Sequence, residues 1–129
     1  SRVLFSGAVS HENIPRHIGA MDICVVPHSN EFRSPIKLFE CMGQGKVVVA
    51  PATEPIAMAL REGENGLLFS PGGWDELRRQ LQRAVDDENL RRRLGAQARR
   101  DSLAEHTWRR NAEKTLGALC EDSAGAEVD

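Results

Sequence analysis

Hydrophobic residues along the chain alternate between short unbroken runs and stretches where they recur every three or four positions. Ile23-Cys-Val-Val26 and Val47-Val-Val-Ala50 are apolar throughout, as expected of parallel strands covered on both faces. Val3-Leu-Phe5 and Leu67-Leu-Phe69 read as two shorter strands. Between and after them the helical period predicts helices. The first runs from Asn13 to Ala20, with Ile14, Ile18 and Met21 on one side, and the second from residue 35, with Ile36, Leu38, Phe39 and Met42. The others are Ile56 to Arg61, then Trp74 to Val85 with Leu77, Leu81, Ala84 and Val85, then Glu88 to Ala104 with Leu90, Leu94, Ala98 and Leu103. A last helix runs from Trp108 to Leu119, with Ala112, Thr115, Leu116 and Leu119 spaced for burial. Strands alternating with helices predict an α/β fold: a Rossmann-like parallel sheet of about four strands with flanking helices.

The punctuation between these elements is specific. Ser34 is a good N-cap and Pro35 suits a first helical position, while Gly43 and Gly45 offer a left-handed stop. The free amides of residues 35 to 38 and the charge of Lys37 make an anion site, although every capped helix has such an end. Glu40 lies at the edge of the apolar face, where its carboxylate needs partners. Ligand hydroxyls can supply them, and so can solvent or Lys37 three residues back. Gly7 allows a close turn after the first strand. Ser10 or Asn13 can cap the first helix, and Thr107 the last. The loop Pro27 to Arg33, with His28, Ser29, Asn30, Glu31 and Arg33, follows the carboxyl end of a strand, the edge at which open parallel sheets bind ligands. Gly63-Glu-Asn-Gly66 is a turn in which the glycines and Asn65 tolerate positive φ.

Composition narrows the class. The 129 residues fit one domain, and 28% charged with 40% hydrophobic residues is ordinary for a soluble globular protein. A net charge of −2 gives no electrostatic reason to expect nucleic acid. The Arg91–Arg93 and Arg99–Arg100 clusters lie among acidic residues without interleaved aromatics, and read as a solvated helix face. No apolar run approaches the roughly 20 residues of a membrane span, and no signal-peptide pattern opens the chain, so a cytoplasmic location is expected. Cys24, Cys41 and Cys120 are isolated, which indicates neither a zinc site nor a disulfide framework. Cys24 and Cys41 read as small core residues.

Ser34-Pro-Ile-Lys-Leu-Phe-Glu-Cys-Met-Gly-Gln-Gly-Lys-Val-Val-Val-Ala50 follows Asp22-Ile-Cys-Val-Val-Pro-His28 and precedes Glu62-Gly-Glu-Asn-Gly-Leu-Leu-Phe-Ser-Pro-Gly72. In that order the three stretches resemble the C-terminal, donor-binding domain of retaining glycosyltransferases of the GT-B fold, family 4. The resemblance implies transfer of a sugar from a nucleotide-diphosphate donor, a UDP- or GDP-sugar, to an acceptor hydroxyl without an obligatory metal or other cofactor. It implies that Gly7, Ala8 and Val9 line the base, that Ser34, Pro35, Ile36, Lys37 and Leu38 hold phosphate through main-chain amides, and that Glu40 takes the ribose hydroxyls. His28, Asn30 and Glu31 fall beside the donor. Seen without the resemblance, the Gly7 loop is equally an ordinary strand-to-helix turn. The family often carries a glutamate eight positions before Glu40. Phe32 stands there and Glu31 is one residue early, which weakens assignment of the sugar.

The resemblance spans residues 2 to 119, read as one partial domain (1–119) followed by a disordered acidic tail (120–129). It does not extend to the family's acceptor-binding N-terminal domain, nor to the first two strands of the donor domain with their basic pair, whose positions Lys37 and Lys46 do not occupy. No catalytic residue is therefore expected in this chain, which alone should be inactive. The full-length parent is expected in the cytoplasm or peripherally at the membrane. In the strand order 3-2-1-4-5-6 the sheet would have a gap beside Ile23–Val26. Direct pairing of Val3–Phe5 there, with self-association of two copies through an exposed sheet edge, is the expected resolution. The competing reading is a non-catalytic α/β scaffold or dimerisation module derived from such an enzyme.

Overall fold

The computed structural model describes residues 2–29, 36–105, 112, 113 and 115–119. Three parallel strands form one sheet in the order β1 (Ile23–Val25), β2 (Val47–Pro51), β3 (Leu67–Phe69). Ile23 pairs with Val47 and Val49 with Leu67, so the strands advance in step across the sheet. A 3-10 turn (His11–Asn13) runs into α1 (Ile14–Gly19), with Pro15 in its first turn. Four more helices follow among the described residues, α2 (Ile36–Gly43), α3 (Glu54–Ala57), α4 (Trp74–Asp86) and α5 (Glu88–Glu105), and residues 112, 113 and 115–119 are helical as well.

The central strand explains the core. All five residues of β2 are buried, because its side chains alternate between two covered faces. Val48 and Ala50 pack with Ile18, Leu38, Met42, Ile56, Leu60 and Ala98. Val47 and Val49 pack with Leu67, Phe69, Ala84, Leu90 and Leu94 on the opposite side. The short helix α3 begins with Glu54 and Pro55 in its first turn, and α5 opens on a cap in which Leu90 N–H donates to Asp87 Oδ1 at 2.9 Å.

The two edges of the sheet differ. On β3, Leu68 N–H donates to Glu62 Oε2 at 2.6 Å and its carbonyl accepts from Gln80 Nε2 at 2.7 Å, so side chains close the outer edge. On β1 the second edge is open among the described residues.

Several expectations need correction. Val3–Phe5 forms no strand, and Phe5 is 91% exposed, which leaves three strands rather than four. Apolar composition alone does not supply the pairing partner that holds a strand. β1 is also not covered on both faces: Cys24 is buried on one, and Val25, pointing to the other, is 41% exposed. The third helix occupies residues 54–57 rather than 56–61. Its continuation breaks because the chain turns at Arg61–Gly66, where Asn65 is buried. Val85 and Leu103 point outward from α4 and α5 instead of inward, as do Ala112, Thr115, Leu116 and Leu119, which have no core beside them among the described residues. Asn65 has negative φ: the positive φ of that turn belongs to Gly63 alone. Thr107, Trp108 and the tail 120–129 lie outside the described residues. No described helix is long and apolar enough to cross a membrane.

Candidate functional site

The carboxyl ends of β1 and β2 and the start of α2 meet at one edge of the sheet. Leu38 and Met42 anchor α2 in the core, both fully buried, while Ile36 and Lys37 face outward, Ile36 being 66% exposed. The helix needs only Leu38, Cys41 and Met42 for its seat, which is why Ile36 does not join the apolar face expected of it. Leu38 can therefore meet a ligand only through its main chain. Gly45, at φ +71°, ends the helix: its N–H bonds to Met42 O, and Lys46 N–H reaches Cys41 O, a left-handed stop that turns the chain directly into β2. Lys46 Nζ then donates to Gly19 O at 3.0 Å, tying this turn to the end of α1.

A cleft of about 270 Å³ runs between α1 and α2. Its walls are apolar, from Ile14, Pro15 and Ile18 on one side and Phe39 on the other, with Gly43 at one end. Three polar side chains enter it: His11, Glu40 and Gln44. Gln44 is committed, since its Nε2 donates to Pro15 O at 3.0 Å and so staples the two helices together. Glu40 is half-buried, and no ion pair joins it to Lys37, so that explanation of its carboxylate falls away. Its carboxylate, with no hydrogen bond among the described residues, is placed to accept from a ligand in the cleft, and vicinal hydroxyls of a sugar are suited to donate. A second depression, of about 470 Å³, is lined among the described residues by Asp75, Arg78, Arg79 and Gln82 of α4. No apolar residue lines it among the described residues, and the cleft beside Glu40 is the better match to a binding site.

Other expected residues fall as follows. Gly7 adopts φ +73°, the positive-φ turn its position demands, and the loop Gly7–Val9 leads directly to the turn at His11 that lines the cleft. His28 is exposed at the end of β1. Asn30, Glu31, Ser34 and Pro35 lie outside the described residues, as do Phe32 and Arg33. Asn13 does not cap α1: its Nδ2 donates instead to Ser10 Oγ at 2.9 Å. At the carboxyl end of β2 the Thr53 hydroxyl is buried with no hydrogen-bond partner. No group of three or more His, Cys, Asp or Glu among the described residues could hold a metal ion.

Cys24 and Cys41 are buried and unpaired by disulfide. Their shared hydrogen bond pushes the Cys41 thiol well above the ordinary thiol range, with burial acting in the same direction. The same bond lowers Cys24, aided by the Lys46 ammonium and opposed by burial. Cys24 Sγ also lies 3.8 Å from Met21 Sδ.

Reasoning on sequence missed His11. Its approach to Glu40 depends on how α1 packs on α2, and no spacing in the chain encodes that.

The profile of the family described as "Glycosyl transferase-like" matches residues 2–117. The chain is 30% identical over 97 residues to alpha-D-kanosaminyltransferase of Streptomyces kanamyceticus, covering 75% of this chain and 25% of that enzyme. It thus spans about a quarter of that relative's length. Among solved structures, sucrose-phosphate synthase from Thermosynechococcus elongatus superposes with a TM-score of 0.83 at 29% identity, over 98% of this chain and 31% of that one. Anabaena HepE in complex with UDP-glucose superposes with a TM-score of 0.62 at 25% identity, over 70% of this chain and 25% of that one.

Proposed function

Since the chain belongs to the glycosyl transferase-like family, we propose that it is the donor-binding part of a retaining, family 4 enzyme that transfers a sugar from a nucleotide diphosphate to an acceptor hydroxyl. Its fold is part of the C-terminal domain of a group 1 glycosyltransferase of GT-B architecture. The observation that carries the reading is Glu40, half-buried beside apolar walls at the side of the α2 helix, in a cleft that the His11 turn also lines. In this reading the carboxylate accepts from the ribose hydroxyls, the loop backbone lines the base, and the first amides of α2 with Lys37 receive the diphosphate. The UDP-glucose held by the HepE neighbour supports a UDP-sugar over a GDP-sugar.

The transfer breaks the bond between the sugar's anomeric carbon and the diphosphate oxygen and forms one to the acceptor oxygen, releasing nucleoside diphosphate and the acceptor proton. This chain contributes the grip on the donor. Charge that develops on the departing diphosphate is stabilised by groups outside it, and the acceptor is held by a separate N-terminal domain. The 129-residue chain alone therefore binds without turnover. Titration calorimetry with UDP and GDP tests the proposal: heat with UDP, weaker heat with GDP, and loss on Glu40→Ala are expected. A folded chain giving no heat with either would overturn it.

A second reading, self-association, rests on the contrast between the closed edge of β3 and the open edge of β1, where Val25 is exposed. Light scattering on the chain should then report a concentration-dependent dimer that Val25→Lys abolishes. A monomer at all concentrations would dismiss it.

A further inference from the structure

We propose that His11 is a ligand-contacting residue of the cleft between α1 and α2, acting with Glu40 on the nucleoside portion of the donor. The inference rests on the donor-binding reading and extends it to a residue outside every motif that carried the resemblance.

Three observations converge on it. Among the described residues, His11 and Glu40 are the two ionisable side chains that line the cleft, contributed by separate elements. The third polar group there, Gln44, is held in place by its donation to Pro15 O. His11 also stands two residues after Val9 of the Gly7–Val9 loop and forms part of the turn that sets the entry to α1, so a ligand crossing from that loop to Glu40 passes it. The remaining described histidines have no such place. All three are exposed, but neither His17 on α1 nor His28 beyond β1 lines the cleft.

The chemistry suits a polyhydroxylated ring with an apolar face. Ile14, Pro15 and Phe39 offer surface to the ring's carbon side. Glu40 accepts from hydroxyls, and the imidazole, which carries both a donor and an acceptor nitrogen when neutral, can bond a hydroxyl in either sense. A lysine in its place would only donate.

The test is titration of the full chain with two probes, uridine and UDP, for the unchanged protein, His11→Ala, His11→Gln, His17→Ala and Glu40→Ala, each with its thermal unfolding recorded. Loss of one hydrogen bond predicts weakening by His11→Ala of about fivefold to tenfold. The factor should be the same for uridine and UDP, because the contact is to the nucleoside. His11→Gln should recover part of the loss and His17→Ala none of it should show. Unchanged affinity of His11→Ala for both probes would overturn the assignment while a loss in Glu40→Ala left the donor reading standing. A loss with UDP alone would also overturn it, since the contact would then be to phosphate. Failure of the unchanged, folded chain to bind either probe would instead defeat the donor reading on which the inference rests.

Discussion

Gly95, in the middle of α5, packs against the backbone of Gly45, so that a methyl group on Gly95 would overlap the Gly45 carbonyl oxygen and stand 2.9 Å from its carbonyl carbon. Two glycines far apart in the chain thus let the last described long helix press against the turn that ends α2 and starts β2. Helix propensity alone would favour Gly95→Ala by about 1 kcal/mol. The contact reverses the sign, because backbone rather than a flexible side chain must give way. A loss of about 2–4 kcal/mol is expected, from urea unfolding, of the size that overpacking produces. Gly43→Ala, whose nearest neighbour would be Ser102 Oγ at 3.8 Å, should be neutral or slightly stabilising.

Asn65 is the polar counterpart of that joint. It is fully buried, its Nδ2 donates to Ala59 O at 3.0 Å and to Asp101 Oδ2 at 2.8 Å, and its Oδ1 accepts from Arg61 N–H at 2.6 Å. Asn65→Ala leaves three groups to find other partners and should cost about 2–3 kcal/mol. Asn65→Asp should be at least as damaging, since it replaces a donor with a charge facing Asp101. Equal midpoints for the asparagine and alanine proteins in chemical denaturation would contradict this role.

How much of this was legible in the chain depended on whether a period or a cap encoded it. The apolar run Val47–Ala50 announced a central strand, and the spacing of Leu90, Leu94 and Ala98 announced the inward face of α5, because each pattern reflects local geometry. Asn65 was read as a turn residue valued for its backbone freedom, whereas it serves through three hydrogen bonds to groups brought together only by folding. Val3–Phe5 read as a strand on composition, yet a strand needs a neighbour to pair with, and composition says nothing of one. At the site, Glu40 stood out as a carboxylate beside an apolar face, but His11 joins it across an interhelical contact that no local signal reports.

Acid should remove one specific stabilisation. Glu76 accepts from Ser70 N–H at 2.7 Å and from Ser70 Oγ at 3.2 Å, and these bonds hold its carboxyl below the ordinary carboxylate value. A carboxyl depressed on folding stabilises at pH values above its unfolded pKa, and the contribution disappears as pH falls through the folded value. The gap in urea midpoint between the unchanged chain and Glu76→Ala should therefore be constant near neutrality and narrow below about pH 4.5. A gap that stays constant down to pH 3 would show that the carboxylate charge is not what matters there.

The two core thiols should be protected alike in the folded chain. Both are buried, so alkylation by iodoacetamide waits on opening of the fold. Labelling of either, read by peptide mass spectrometry, should be slow in buffer and rise with urea in step with unfolding, and rapid labelling in buffer would contradict their burial.

Donor binding in the cleft beside α2 is tested most directly by following backbone amide resonances of the 129-residue chain while UDP is added. The cleft predicts that the largest shifts fall on Gly7 to Val9, His11, Lys37 and Glu40, and that Arg78, Arg79 and Gln82 of the α4 depression stay where they are. Shifts confined to α4, with Glu40 and its neighbours unmoved at saturating UDP, would contradict it.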